Sequence, residues 1–137
     1  MTSIDGGTGR LRAISRDGQL IALGTEDGRI KLLDVGQGKV LREMPGHNNG
    51  VLSLAFAPDS KTLVSTGFDS EIKFWNIASG QAALTLGHLG PATSVSFSAD
   101  GNLMATSGAD ALVRLWPAAS LSEADAKDAP TFPDLEK

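Results

Sequence analysis

A set of landmarks recurs along this chain at an interval of 41 or 42 residues, and a chain that repeats itself in this way folds as an array of similar units. Gly46-His47 returns as Gly87-His88, Trp75 as Trp116 and Asp69 as Asp110, each 41 residues on. Phe56-Ala57-Pro58-Asp59 returns as Phe97-Ser98-Ala99-Asp100. One interval earlier, Asp17 and Asp27 stand 42 residues before Asp59 and Asp69, and Ile30-Lys31-Leu32-Leu33-Asp34 stands 42 before Ile72-Lys73-Phe74-Trp75-Asn76. Three units share the same phase.

Within a unit the pattern is that of strands. The run Val51 to Phe56 is short and apolar, as expected of a strand buried on both faces. Pro58-Asp59-Ser60-Lys61 carries turn chemistry, because proline presets φ and aspartate caps its own backbone. Residues 62–66, 71–77 and 82–86 resume extended patterns, separated by Gly67 to Ser70 and by Ala78-Ser79-Gly80-Gln81. Four short strands with turns at intervals of about 8 to 12 residues predict one antiparallel sheet per unit. No convincing helical period precedes Ser120, so the expected class is all-β.

Four strands in roughly 40–45 residues, with Gly-His early and an aromatic at the end of the third strand, resemble the WD40 repeat of β-propellers. The resemblance covers residues 10 to 117 and is weaker in the first unit, which lacks Gly-His and has Leu33-Asp34 in place of the aromatic. It implies a partial propeller of three four-stranded blades: a lead-in at 1–9, a degenerate blade 1 at 10–45, blade 2 at 46–86, and blade 3 at 87–117 without its own outer strand. An acidic, largely flexible tail is expected at 118–137. The resemblance further implies a buried hydrogen-bonded tetrad per blade, which falls on His47, Ser65, Asp69 and Trp75 and on His88, Thr106, Asp110 and Trp116. Such a network is physically coherent, since a buried carboxylate must be paired or accept several hydrogen bonds. Blade 1 has Asp5, Leu23, Asp27 and Leu33 at those places, so apolar packing is expected to hold it.

His47, Ser65 and Asp69 also have the residue types of a hydrolase triad, and two His with two Asp suggest a metal site. The set recurs at equal offsets, as a structural device does and a single active site does not. No G-x-S-x-G elbow is present, and Gly6-Gly7-Thr8-Gly9 lacks the lysine and helix of a phosphate-binding loop. Gly24, Gly28, Gly67 and Gly108 are read as turn residues. No catalytic residue, metal or cofactor is therefore expected.

Composition narrows the partners. Hydrophobic residues make up 41% and charged residues 20%, with no cysteine, a globular balance without disulfides or thiolate metal sites. The net charge is −4, of which −3 lies in the tail from Pro117 on, leaving the body near −1. A nearly neutral body gives no broad field for general nucleic-acid binding. No apolar run is long enough to span a membrane and no secretion signal follows Met1, which makes the cytoplasm the default compartment.

Propellers close with four to eight blades. Each open end of a three-blade arc presents a face of about 320 Å², from four strands ~4.8 Å apart and about five residues at ~3.4 Å rise. Its burial corresponds to about 8 kcal/mol at ~25 cal/mol per Å². Completion by another propeller segment, by further copies of the chain, or by packing in a larger assembly is thus expected, the alternative being that the chain is a piece of a longer protein. Blade 3 turns into Pro117-Ala118-Ala119-Ser120, and Met1 to Ile4 is short for a strand completing another blade. In the tail, Ser120-Leu121-Ser122-Glu123 has capping-box form for a short helix to about Lys127, and Phe132 and Leu135 are candidate anchors for a partner or for the open edge. Propellers of this family bind partners mostly on the face holding the tetrad Asp turns. The matching positions are Asn48, Gly50, Leu52, Phe68, Pro91, Thr93 and Ala109, with Phe68 the candidate hot spot. The function expected is a non-catalytic protein-interaction scaffold; the alternatives are an accessory subunit of a larger complex and, less favoured, a propeller lectin or enzyme.

Overall fold

The computed structural model describes residues 11–88 and 90–117. The lead-in, Asp5, the short segment Met1 to Ile4, the capping-box helix and the Phe132 and Leu135 anchors lie outside the described residues. Eleven strands are described: β1 (Leu11–Ile14), β2 (Leu20–Gly24), β3 (Ile30–Asp34), β4 (Lys39–Met44), β5 (Val51–Phe56), β6 (Thr62–Gly67), β7 (Glu71–Asn76), β8 (Gln81–Gly87), β9 (Ala92–Phe97), β10 (Leu103–Gly108) and β11 (Val113–Pro117). They form three antiparallel sheets in the orders β1-β2-β3-β4, β5-β6-β7-β8 and β11-β10-β9. No helix among the described residues is long and apolar enough to cross a membrane.

The turns follow from side chains repeated with the landmarks. After each inner strand, an aspartate accepts the amide two residues on: Gln19 N to Asp17 at 3.0 Å, Lys61 N to Asp59 at 2.8 Å and Asn102 N to Asp100 at 2.9 Å. Ser15 and Ser98 donate to Asp17 and Asp100 and accept the amides that open β2 and β10. Asp34 and Asn76 cap the outer hairpins through Gln37 N and Ser79 N. Local hydrogen bonding thus sets where each strand starts.

Two apolar clusters join the sheets. Ala22, Ile30, Leu32 and Met44 of the first sheet pack with Val51, Leu63 and Trp75 of the second. Val64, Ile72, Phe74, Leu84 and Leu86 of the second pack with Val95, Met104 and Trp116 of the third. The second sheet therefore buries one face against the first sheet and the other against the third, as sheet stacking requires. Polar contacts reinforce the seams. Thr66 donates to the Ala92 carbonyl at 2.7 Å, and Val95 N donates to Ser53 Oγ at 3.2 Å. Farther out, the Arg42 guanidinium donates to the Ser79 and Ala78 carbonyls at 3.0 and 2.9 Å.

The first sheet is packed through aliphatic side chains: Leu23 and Leu33 are buried. The expected burial of the 51–56 run on both faces requires correction. In β5 only Val51 is buried and the other five residues are half-buried. β5 is the inner edge of its sheet, paired on one side only by β6, and it borders a cavity of about 430 Å³ that β1 and β9 also line. The strand enclosed along most of its length is β6, buried from Leu63 to Gly67.

Candidate functional site

At one end of the second sheet, four side chains form a continuous relay. The Trp75 indole N–H donates to Ser65 Oγ at 2.8 Å. Ser65 Oγ lies 2.7 Å from His47 Nε2, and His47 Nδ1 lies 2.9 Å from Asp69 Oδ1. With Asp69 ionised, Nδ1–H donates to the carboxylate, Nε2 accepts the Ser65 hydroxyl proton, and every polar atom is satisfied. Asp69 also accepts Glu71 N at 3.1 Å and Asn48 N at 3.2 Å. One carboxylate thus ties the β6–β7 turn to the loop entering β5.

Register makes this possible. Ser65 is carried by β6 and Trp75 by the adjacent β7, so their side chains meet across one strand spacing. Gly67 then brings the backbone under the imidazole, where an added Cβ would lie 2.5 Å from His47 Cβ and Cγ. Gly46 and Gly28, both at positive φ, cross so closely that an added Cβ on either would overlap the carbonyl oxygen of Gly28 or of His47, respectively. The His47 amide donates to the Gly28 carbonyl at 2.8 Å at this crossing.

The third sheet departs from the expected tetrad. His88 Nε2 lies 3.2 Å from Thr106 Oγ1, which also accepts the Trp116 indole N–H at 3.1 Å. Yet His88 Nδ1 donates to the Gly90 carbonyl at 2.9 Å rather than to Asp110. Asp110 is exposed, accepts Leu112 N at 3.1 Å and pairs with Arg114 at 3.0 Å. The Leu112 amide foremost, and then Arg114, hold its carboxyl below the ordinary range against an opposing effect of burial. The physical reason is a guanidinium where the second sheet has Lys73, which instead pairs with Glu71 and lies over the Trp75 ring. In the first sheet, Thr25 donates to Asp27, and Asp27 sits beside Arg29.

The triad chemistry is closed off by the same geometry. Ser65 is fully buried and its oxygen already receives the indole proton, so no substrate carbonyl can reach it. His47, Asp69 and Glu71 have ligand atoms within 4.8 Å of one another, but both imidazole nitrogens are committed to Ser65 and Asp69.

Around the relay, Asn48, Phe68, Thr93 and Ala109 are exposed, Leu52 and Pro91 are half-buried and Gly50 is buried. Phe68 is 54% exposed, and its amide donates to the Gly50 carbonyl at 3.2 Å. Its ring edge rests on Gly50, where an added Cβ would meet Phe68 Cδ2 at 3.3 Å. Gly50 is therefore a seat for the ring. Leu52 and Thr93 sit where the register shifts between Val51 and Ser53 and between Ser107 and Gly108, so both are bulge residues displaced from the ladder. No periodicity argument singles out Gly67 as a support for His47 or Arg42 as a clamp; the first was readable only as a turn glycine.

A family model described as WD domain, G-beta repeat matches residues 38–76 and 80–117. Each match runs from the outer strand of one sheet through the third strand of the next. Apoptotic protease-activating factor 1 of Danio rerio is 32% identical over 82 residues, which is 60% of this chain and 6% of that protein. An uncharacterized WD repeat-containing protein of Synechocystis is 40% identical over 81 residues, 58% of this chain and 23% of that one. The chain therefore spans less than a quarter of the length of these relatives. Among solved structures, the Cps50 (Swd1) β-propeller domain of Myceliophteria thermophila superposes with a TM-score of 0.75 at 19% identity, covering 85% of this chain and 38% of that one.

Proposed function

The chain belongs to the WD domain, G-beta repeat family, and on that premise we propose that it is a non-catalytic scaffold for protein–protein interaction. Its blades complete a propeller with another copy or another chain. WD40 propellers generally serve as such scaffolds, and the relatives are WD repeat proteins. The observation that carries the reading is Phe68. An aromatic ring more than half exposed loses hydrophobic stabilisation unless a partner covers it. Here it is held at a turn tip whose conformation Asp69 fixes through His47, Asn48 and Glu71. A fixed turn reduces the entropy lost on binding, which is where rigid aromatic anchors gain affinity.

In this reading Asn48 and Thr93 supply polar contacts beside the ring, and Leu52, Pro91 and Ala109 supply shape. The His47 relay and its counterpart around His88 are structural. The test begins with a phage-displayed peptide library panned against the whole chain. Peptides it enriches are measured by fluorescence anisotropy against the wild type and Phe68→Ala. A hot spot worth about 2 kcal/mol predicts roughly a 30-fold loss of affinity. Equal binding by the two proteins rejects the assignment of this face.

A further inference from the structure

The outer strands of the first two sheets occupy the same place in the repeat and differ in charge. Residues 39–44 and 81–86 align at the 42-residue offset, and Lys39, Arg42 and Glu43 of β4 become Gln81, Leu84 and Thr85 in β8. Each strand is the last of its sheet, and among the described residues no strand pairs with its outer edge. An open edge presents unpaired N–H and C=O groups, and charged side chains guard such edges against the addition of another strand. β4 has that guard. β8, at seven residues the longest strand described, carries no charged residue.

The ladder to β7 shows which groups of β8 face outward. The His88 amide donates to the Ser70 carbonyl at 2.7 Å, and bonded pairs alternate with non-bonded pairs in an antiparallel ladder. Leu86 and Leu84, opposite Ile72 and Phe74, therefore bond inward. Gly87 and Thr85, opposite Glu71 and Lys73, turn their main-chain groups to the outer edge. The side chains that meet solvent here are small: Ala82, Ala83, Thr85 and Gly87 are exposed. Leu84 and Leu86 are buried against blade 3.

We propose that β8 is a self-association edge, through which two copies pair antiparallel about a two-fold axis at Thr85 and join two four-stranded sheets into one. The axis sets Thr85 opposite Thr85 of the second copy and Leu84 opposite its Leu86. Hydroxyl then faces hydroxyl, a favourable cross-strand pair, and no charge faces its like. A second copy fits better than a foreign strand because the edge is its own complement. In β4 the same axis would fall on Glu43 and oppose two carboxylates, an arrangement that destabilises. The chain thus excludes self-pairing at one outer edge and permits it at the other. A contact one strand long is smaller than a standard interface, so the dimer is weak and forms as concentration rises. It carries two Phe68 turns, and its formation does not depend on what they bind.

Sedimentation equilibrium of the full chain from about 1 µM to about 1 mM tests this. The mass is expected to climb from the 14.2 kDa of one chain toward twice that value. Thr85→Lys and Thr85→Glu each put like charges on the axis, so either variant alone stays at the mass of a single chain. Mixed in equal amounts they put opposite charges there, and the doubled mass returns. Thr85 is exposed, so both variants are expected to fold, which far-UV circular dichroism checks. Amide hydrogen exchange of the wild type gives a reading that needs no variant: exchange at Thr85 and Gly87 slows as concentration rises. A wild type of single-chain mass throughout the range overturns the proposal, as does exchange at Thr85 that ignores concentration. A doubled mass in both variants places the contact elsewhere and overturns it too, as does a mixture that fails to associate.

Discussion

Replacing Asp69 by alanine removes the one acceptor that holds His47 Nδ1, at 2.9 Å, and with it the bonds from Glu71 N and Asn48 N. The His47 side chain is fully buried, so its N–H has no water to turn to. Leaving a buried donor unsatisfied costs about 1–3 kcal/mol. The two amides lie nearer solvent and recover part of their bonding, adding about 1 kcal/mol between them. The expected loss is about 3 kcal/mol, a large share of the about 5–15 kcal/mol typical of a domain. Urea denaturation followed by tryptophan fluorescence reads it, since Trp75 ends the same relay. Asp69→Asn, which keeps an oxygen for Nδ1–H, should recover most of the loss. Asp110→Ala is the internal control: His88 bonds to Gly90 instead, so the cost should be nearer 1 kcal/mol. Equal midpoints for Asp69→Ala and the wild type, or equal costs at Asp69 and Asp110, refute the reasoning.

Two further outcomes follow from the turns. Gly67→Ala places a Cβ 2.5 Å from the His47 ring, whereas at Gly87 nothing lies within 4 Å; the first should cost about 1–3 kcal/mol and the second little, as read by the same denaturation. Asp17 and Asp100 are held below the ordinary carboxylate range, chiefly by the Ser15 and Ser98 hydroxyls and then by the Gln19 and Asn102 amides. A depressed folded value means that their contribution is present above the unfolded value, about pH 4, and is lost as pH falls through the folded one. Acid titration by circular dichroism should therefore show stability falling below about pH 4, with a shallower fall in the Asp17→Asn, Asp100→Asn double variant.

The array of sheets was legible because each landmark sits where a strand must begin or end. Asp17, Asp59 and Asp100 open hairpins, and Trp75 and Trp116 fill the seams. Side-chain identity and spacing carry that information directly. They did not carry the choice between competing partners. Asp69 and Asp110 occupy the same repeat position, but Arg114 draws Asp110 aside and the Gly90 carbonyl takes its place at His88. The exchange of Lys73 for Arg114 was visible as a difference between units, though its effect depends on distances only the folded chain sets. The enclosure of β5 was misjudged for a related reason. An apolar run says that a strand is buried somewhere, and whether a neighbour stands on each side depends on its place in the sheet.

The crossing of Gly28 and Gly46 has a consequence for how such a chain tolerates change. The first blade meets the second there through main-chain atoms, the His47 amide on the Gly28 carbonyl, where Gly28 and Gly46 pass too closely for a side chain on either. The contact on the first blade's side is the Gly28 carbonyl, which is independent of the side chains elsewhere in that blade. Its histidine, hydroxyl and indole can be lost to mutation while the angle at which it hands the chain on is preserved. An ageing repeat can thus drift in composition and still keep time with its neighbours.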